Sequence, residues 1–150
     1  MKRLLAFFAL MIMLVFVFHF ESKSLYDNEH IVGACIISKD EVVLAGCEEV
    51  IESGQQFYYY TSSDFKKFAH SFSSIDGVVL YFGDYSIEAL VKDYNIDYFQ
   101  GGDVDGNEVY YGYTPYYRDS ISVQNKKVNV QIIVQADRII AGFPAVLTGF

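Results

Sequence analysis

The amino-acid sequence predicts an α+β fold: an antiparallel sheet with two helices packed on one face, preceded by an N-terminal apolar helix. Three observations predict it. Several short runs are rich in β-branched and aromatic residues and are bounded by turn residues. Two segments between these runs repeat apolar residues at helical spacing. The start of the chain is an unbroken apolar run.

The apolar run extends from Leu4 to Phe20. It is longer than a usual secretory core of roughly 7 to 15 residues, and at the short end of the roughly 17 to 25 that span a bilayer. We therefore expect residues 1–24 to form either a signal peptide or a membrane anchor. In the second case, residues 4–20 would be a transmembrane helix, and the uncleaved anchor is the favoured alternative.

The charges around this run predict its orientation. Lys2 and Arg3 precede it and Glu21 follows it, which keeps the N-terminus inside and places the rest of the chain outside the cytoplasm. We expect residues 25–150 to form one extracytoplasmic domain. It would stay at the cell membrane, or be secreted if the leader is cleaved.

The first half of this domain reads as three strands and a helix. Residues 31–37 and 42–51 are β-rich and flank a polar stretch, Ser38 to Glu41, which predicts a hairpin. Residues 57–60 have strand character. The first helix follows, because apolar residues recur at helical spacing: Phe65, Phe68, Ala69 and Phe72.

The second half begins with residues 78–82, an apolar run typical of a strand buried on both faces. The second helix is predicted from Ser86, a capping residue, to about Asn95. Its apolar positions are Ile87, Leu90, Val91 and Tyr94. The pattern then turns to strands, at residues 109–114, 128–134 and 139–147.

Charge argues against nucleic acid as a partner. From Leu25 onward, 8 basic and 18 acidic residues leave a net charge of −10. Such a surface repels phosphate backbones, and no stretch gathers more than two adjacent basic residues. We expect no binding to DNA or RNA.

The sequence does not single out a catalytic, metal or cofactor site. The three histidines and two cysteines are scattered, and the fingerprints of nucleotide-binding loops and of serine hydrolases are missing. Asp103 to Asn107 resembles the start of a calcium loop, but a calcium loop needs Gly where this chain has Glu108 and Glu where it has Thr114. We expect a flexible turn from Gly101 to Asn107, no cofactor, no metal and no enzyme activity.

Cys35 and Cys47 are predicted to be two buried free thiols. If the first two strands pair as a hairpin with an even loop, the two side chains point to opposite faces of the sheet. Only an odd loop or a bulge would bring them to one face.

A group of tyrosines is the candidate binding surface. Aromatic rings offer faces on which sugar rings stack, although tyrosine is also a common half-buried strand residue. The candidate residues are Tyr110, Tyr111, Tyr113, Tyr116 and Tyr117.

The last forty residues carry a distinctive pattern. An aromatic-Thr step at Thr114 is followed by a K-x-N-V-Q-I strand with Asn129 and Gln131, and by a terminal G-x-P-x-V-x-T stretch with Gly142, Pro144 and Thr148. This pattern resembles the YwmB family of small exported proteins of Gram-positive bacteria, mainly over residues 78–150. The resemblance implies a TATA-box-binding-protein-like fold, no characterised activity, and a structural role for these residues.

The chain departs from the family in its length, in residues 31–60, and in the short loop 136–138.

We expect the chain to be an uncharacterised exported protein, membrane-tethered or secreted, whose domain binds a protein partner in the cell envelope without catalysing a reaction. The alternative is binding to cell wall or glycan through the aromatic patch around Tyr110–Tyr117.

Overall fold

A computed structural model describes residues 25–38, 47–52, 55–60, 65–66 and 75–144. They contain ten strands and one helix. The strands are β1 Ile31–Ser38, β2 Glu48–Glu52, β3 Gln55–Tyr60, β4 Gly77–Gly83, β5 Asp97–Val104, β6 Asn107–Tyr113, β7 Ile121–Val123, β8 Lys126–Val128, β9 Val130–Val134 and β10 Arg138–Phe143, and the helix is α1 Ile87–Asp93.

Eight of these strands form one sheet in the order β2-β3-β1-β4-β10-β9-β6-β5, and β7 and β8 form a separate hairpin. Every pair of neighbouring strands is antiparallel. The predicted α+β fold, with two helices packed on one face of the sheet, is corrected. The described residues are mostly antiparallel sheet with a single seven-residue helix.

Strand β4 lies in the middle of the sheet and is buried on both faces, as its apolar sequence predicted. It pairs with β1 on one side and with β10 on the other. Leu80 and Val79 are both 0% exposed although they point to opposite faces. The burial of both faces explains why the run has no polar alternation.

The predicted hairpin between the first two strands is wrong. Strand β1 pairs with β3 and β4, whereas β2 pairs with β3. Strand β3 therefore lies between the two runs that the sequence suggested as direct partners. Residues 39–46, which hold the predicted hairpin loop and the start of the second run, lie outside the described residues.

Helix α1 forms where the sequence predicted the second helix. The Ser86 hydroxyl caps it by accepting a hydrogen bond from the Ala89 amide at 3.2 Å. Asn95, just beyond its end, has a positive φ of 48°, a conformation that asparagine tolerates and that ends helices. Leu90, on the apolar side of the helix, is buried in the core against the sheet.

The other predicted helices fall largely outside the described residues. Of the first predicted helix, residues 65–66 are described and form a short 3-10 turn, in which Phe65 is buried against Tyr26 and Tyr60. The leader, residues 1–24, is not described. The expected transmembrane helix is not found in the described ranges, because no helix there has the length and apolar character needed to cross a membrane.

The two faces of the sheet carry two apolar clusters. The first includes the helix residue Leu90 and loop residues such as Leu25, Tyr94 and Ile96. The second consists, among the described residues, of strand side chains alone: Cys35, Ile37, Phe57, Val79, Val109, Ile133 and Ile140, with Tyr59, Tyr81 and Tyr111 packed beside them.

The predicted strand at residues 128–134 is divided. Val128 ends β8 in the small hairpin, Val130 begins β9 in the main sheet, and Asn129 stands between them. The turn before β8 is formed by Gln124 and Asn125, both at positive φ. Two-residue turns with positive φ at both positions match the twist of paired strands.

The two cysteines lie on opposite faces of the sheet, although the predicted pairing of their strands is wrong. Cys35 belongs to the second cluster and Cys47 packs against the first. Neither is in a disulfide. Cys35 is 0% exposed and burial raises its pKa to about 12, whereas Cys47 is only half-buried.

We expect the native protein to present one thiol to a thiol reagent rapidly and to protect the other, because a buried, protonated Cys35 reacts slowly. The measurement is a time course of thiol modification in the native protein and in the unfolded, unreduced protein. The unfolded protein should show two thiols per chain, and Cys47→Ser should abolish the rapid native phase. A total of zero in the unfolded protein would mean that a disulfide joins the pair.

Candidate functional site

The predicted tyrosine patch does not form one surface. Tyr110 lies on the helix side of the sheet with the first cluster, whereas Tyr111 lies on the other side with the second. Tyr113 follows Tyr111 by two residues and therefore shares its face. Tyr116 and Tyr117 lie in the loop after β6. The five rings are thus divided among three places.

Tyr110 is held by neighbouring side chains on β5 and β6. Its hydroxyl donates a hydrogen bond of 2.7 Å to Glu108 Oε2, and its ring meets the ring of Tyr98 edge-on at 5.6 Å. The hydrogen bond to Glu108, which the neutral hydroxyl donates, raises the pKa of Tyr110.

Tyr117 belongs to the packing of the first cluster. Its ring lies 5.9 Å from that of Phe143, and burial raises its pKa to about 12. Tyr116 is 36% exposed and touches the ring of Tyr94 edge-on at 6.4 Å. The inward position of Tyr117 leaves Tyr116 as the more accessible ring of the pair.

Asn129 organises the loop that carries these two tyrosines. It is 0% exposed, and its Oδ1 accepts a hydrogen bond of 2.7 Å from the Thr114 amide. Its Nδ2 donates to the carbonyls of Thr114 and Tyr117 at 2.7 and 2.6 Å. Thr114, also buried, donates its hydroxyl to the Tyr94 carbonyl at 2.6 Å. One side chain thus fixes both ends of the 114–117 turn.

The other residues of the family-like pattern occupy strand β9 and the end of β10. Gln131 is paired with Gly142 and with Tyr111 across the sheet. The peptide bond between Phe143 and Pro144 is cis. Thr148 lies outside the described residues.

Of the expected flexible turn at residues 101–107, the first four residues belong to β5 and Asn107 begins β6. Asp105 and Gly106, at φ of 53° and 80°, form the two-residue turn into β6. The Asp103 carboxylate accepts a hydrogen bond of 3.0 Å from the Gly106 amide. This carboxylate therefore stabilises the turn. In the described part of the chain, no group of three His, Cys, Asp or Glu side chains could hold a metal ion.

A cleft with both cationic and aromatic walls opens at the β5 end of the sheet. Its volume is about 390 Å³, and it is lined by Asp97, Tyr98, Phe99, Tyr113, Lys126 and Lys127. Lys126 Nζ lies 4.2 Å from the centroid of the Phe99 ring, and Lys127 Nζ lies 4.9 Å from that of Tyr113. Both contacts are in the range of cation–π interactions.

Sequence reasoning singled out Tyr113 in this cleft and missed the other five residues. No strand was predicted for residues 97–104, which include two glycines and two aspartates, residue types that are depleted in strands. The Asp-Gly pair at 105–106 is a usable signal, since that dipeptide between alternating apolar residues indicates a hairpin. The closeness of Lys126 and Lys127 to this strand depends on the β7–β8 hairpin and has no local signal.

Strand β5 is the outermost strand at this end of the sheet. Tyr98 and Val104 on it are 43% and 42% exposed, which is high for large apolar side chains. Ile121 of the neighbouring hairpin is 45% exposed. Three of the five large exposed hydrophobic residues in the described part of the chain are therefore at this end.

Comparison of the chain with protein-family models, with curated proteins and with solved structures found no match.

Proposed function

We propose that the protein is an exported, non-enzymatic domain that binds a protein partner of the cell envelope, and that the partner adds an extended segment to strand β5. Export rests on the basic and apolar leader of the sequence. Kinship with the YwmB family, over residues 78–150, is part of the same proposal. A domain of net charge −10 outside the cytoplasm would not bind nucleic acid.

The observation that carries the proposal is the exposed apolar character of an outermost strand. No described strand pairs with the outer side of β5, so its backbone amides and carbonyls are available to an added strand. Tyr98 and Val104 add exposed apolar surface beside these groups. Backbone hydrogen bonds would supply affinity and the side chains would supply selectivity.

Other features of β5 limit indiscriminate pairing. Its register with β6 shifts between Gln100 and Gly102, and Asp97 and Asp103 are exposed charges on the strand. Bulges and edge charges are how sheets avoid aggregation through their edges. They leave two short regular stretches, before and after the shift, for a selected partner segment.

The alternative of glycan binding through residues 110–117 receives less support from the geometry. The five tyrosines do not share a surface, and the ring of Tyr113 already has Lys127 over it. A sugar ring would need an open aromatic face.

Substitution of Tyr98 and Val104 by lysine is expected to reduce partner recovery at least roughly tenfold, because lysine on an edge strand opposes strand addition. The measurement is quantitative mass spectrometry of polypeptides that co-purify with the protein from native membranes. Both positions are exposed, so the free energy of unfolding should change by less than about 0.5 kcal/mol per substitution.

Val32→Lys is the matched control, since Val32 is 49% exposed on the distant strand β1. It should recover the same partner in the same amount as the unaltered protein. Equal recovery by the β5 variant would contradict the proposed binding surface.

A further inference from the structure

We propose that the cleft beside β5 selects the added segment by a carboxylate, which docks between the ammonium groups of Lys126 and Lys127. This inference rests on the proposed function, because it names the chemistry of the segment that β5 would receive. The partner segment is thus extended in conformation and carries glutamate, aspartate or a terminal carboxylate where it passes the cleft.

The two lysines are placed by the β7–β8 hairpin. Lys126 and Lys127 are exposed residues at the start of β8, and each ammonium group lies over an aromatic ring of the main sheet. A cation held over a ring gives up part of its side-chain freedom before any ligand arrives. Less entropy is then lost when an anion binds, which favours binding.

The charge of the cleft differs from that of the domain. Two ammonium groups and one carboxylate, that of Asp97, line it, so the cleft itself is positive by one charge. The domain as a whole has a net charge of −10, but charges more than about 8 Å away are largely screened at physiological ionic strength. A carboxylate at the cleft therefore interacts chiefly with the lysines.

An extended peptide fits this place better than an acidic sugar. The ammonium groups cover the rings of Phe99 and Tyr113, the faces on which a sugar ring would stack. Strand β5, whose residues Asp97, Tyr98 and Phe99 line the same cleft, offers backbone donors and acceptors that only a peptide can match along its length.

The test uses the full-length protein in a mild detergent and two fluorescent octapeptides of alternating threonine and valine. In one peptide two threonines near the C-terminus are replaced by glutamate, and in the other by glutamine. By fluorescence anisotropy, the glutamate peptide should bind roughly fivefold more tightly, as expected for exposed ion pairs. Raising the salt to about 0.5 M should reduce this preference.

The preference should disappear in Lys126→Gln/Lys127→Gln and persist in Lys92→Gln. Lys92 is an exposed lysine in the last turn of α1 and does not line the cleft. Both variants change exposed residues, and circular dichroism will confirm that they fold.

Four results of the peptide experiment would overturn the inference. They are equal affinity for the two peptides, binding of neither, a preference that survives in the double lysine variant, and displacement of the glutamate peptide by polygalacturonate at a lower carboxylate concentration. Occupation of β5 by a second copy would appear in sedimentation as self-association that Tyr98→Lys removes, and it too would overturn the inference. The partner-recovery experiment on Tyr98 and Val104 tests the strand-addition surface separately, so failure of the carboxylate preference can be distinguished from failure of the proposed function.

Discussion

Replacement of Asn129 by alanine is expected to lower the free energy of unfolding by about 3 kcal/mol. The side chain is completely buried and makes three hydrogen bonds to the backbone of Thr114 and Tyr117. Its removal leaves one amide and two carbonyls without these partners, and each buried group left unsatisfied costs about 1–3 kcal/mol before relaxation. Equilibrium urea unfolding, followed by circular dichroism, measures the loss.

Asn107→Ala is the matched control. Asn107 is half-buried, and its amide makes one long hydrogen bond of 3.4 Å to the Val104 carbonyl, so the change should remain within about 0.5 kcal/mol. Unaltered stability of Asn129→Ala, together with loss of partner binding, would show that Asn129 is a ligand-binding residue and not a structural one.

Replacement of Gly112 by alanine is the second change with a large expected effect, a loss of about 2 kcal/mol. A Cβ atom at this position would lie 2.6 Å from Ile96 Cγ2 and 2.9 Å from the backbone oxygen of Asp97. Because one of these atoms belongs to the main chain, strands β5 and β6 would have to move apart. The carbonyl of Gly112 also accepts a hydrogen bond of 2.9 Å from the backbone N–H of Asn129.

Gly83→Ala provides the control for Gly112→Ala. The three atoms nearest to its added Cβ all belong to the side chain of Val32, the closest at 3.0 Å, and Val32 is 49% exposed and therefore has room to shift. We expect a shift of the urea midpoint for Gly112→Ala several times larger than for Gly83→Ala. Similar midpoints in the two variants would show that β5 and β6 adapt freely, and would weaken the case for β5 as a preformed docking edge.

Local patterns predicted several elements correctly. Residues 78–82 form most of the central strand β4. Helix α1 begins after Ser86 and ends before Asn95, as these residue types indicated. In each case the deciding interactions lie within a few residues of the chain. A capping hydroxyl reaches an amide three residues away, and a strand buried on both faces needs apolar residues at every position.

Partnership between strands was not predictable in the same way. The runs at 31–37 and 42–51 are adjacent in sequence, yet β3 separates β1 from β2 in the sheet. A strand can pair with several other strands at a similar free energy for the local hydrogen bonds. The pairing that forms depends on which arrangement buries the most apolar surface. Strand β5 was missed because it is largely exposed at an edge, where glycine and aspartate are tolerated.

The sequence by itself determined that this chain is acidic and begins with an apolar run, and that it holds a doubly buried strand and a capped helix, because composition and local periodicity carry that information. Only the tertiary structure decided that the tyrosines are divided among three places. The structure alone also brings Lys126 and Lys127 to the rings of Phe99 and Tyr113. The physical reason is that these contacts join segments about 14 to 27 residues apart, and non-local contacts of this kind exist only once the sheet and the small hairpin have packed together.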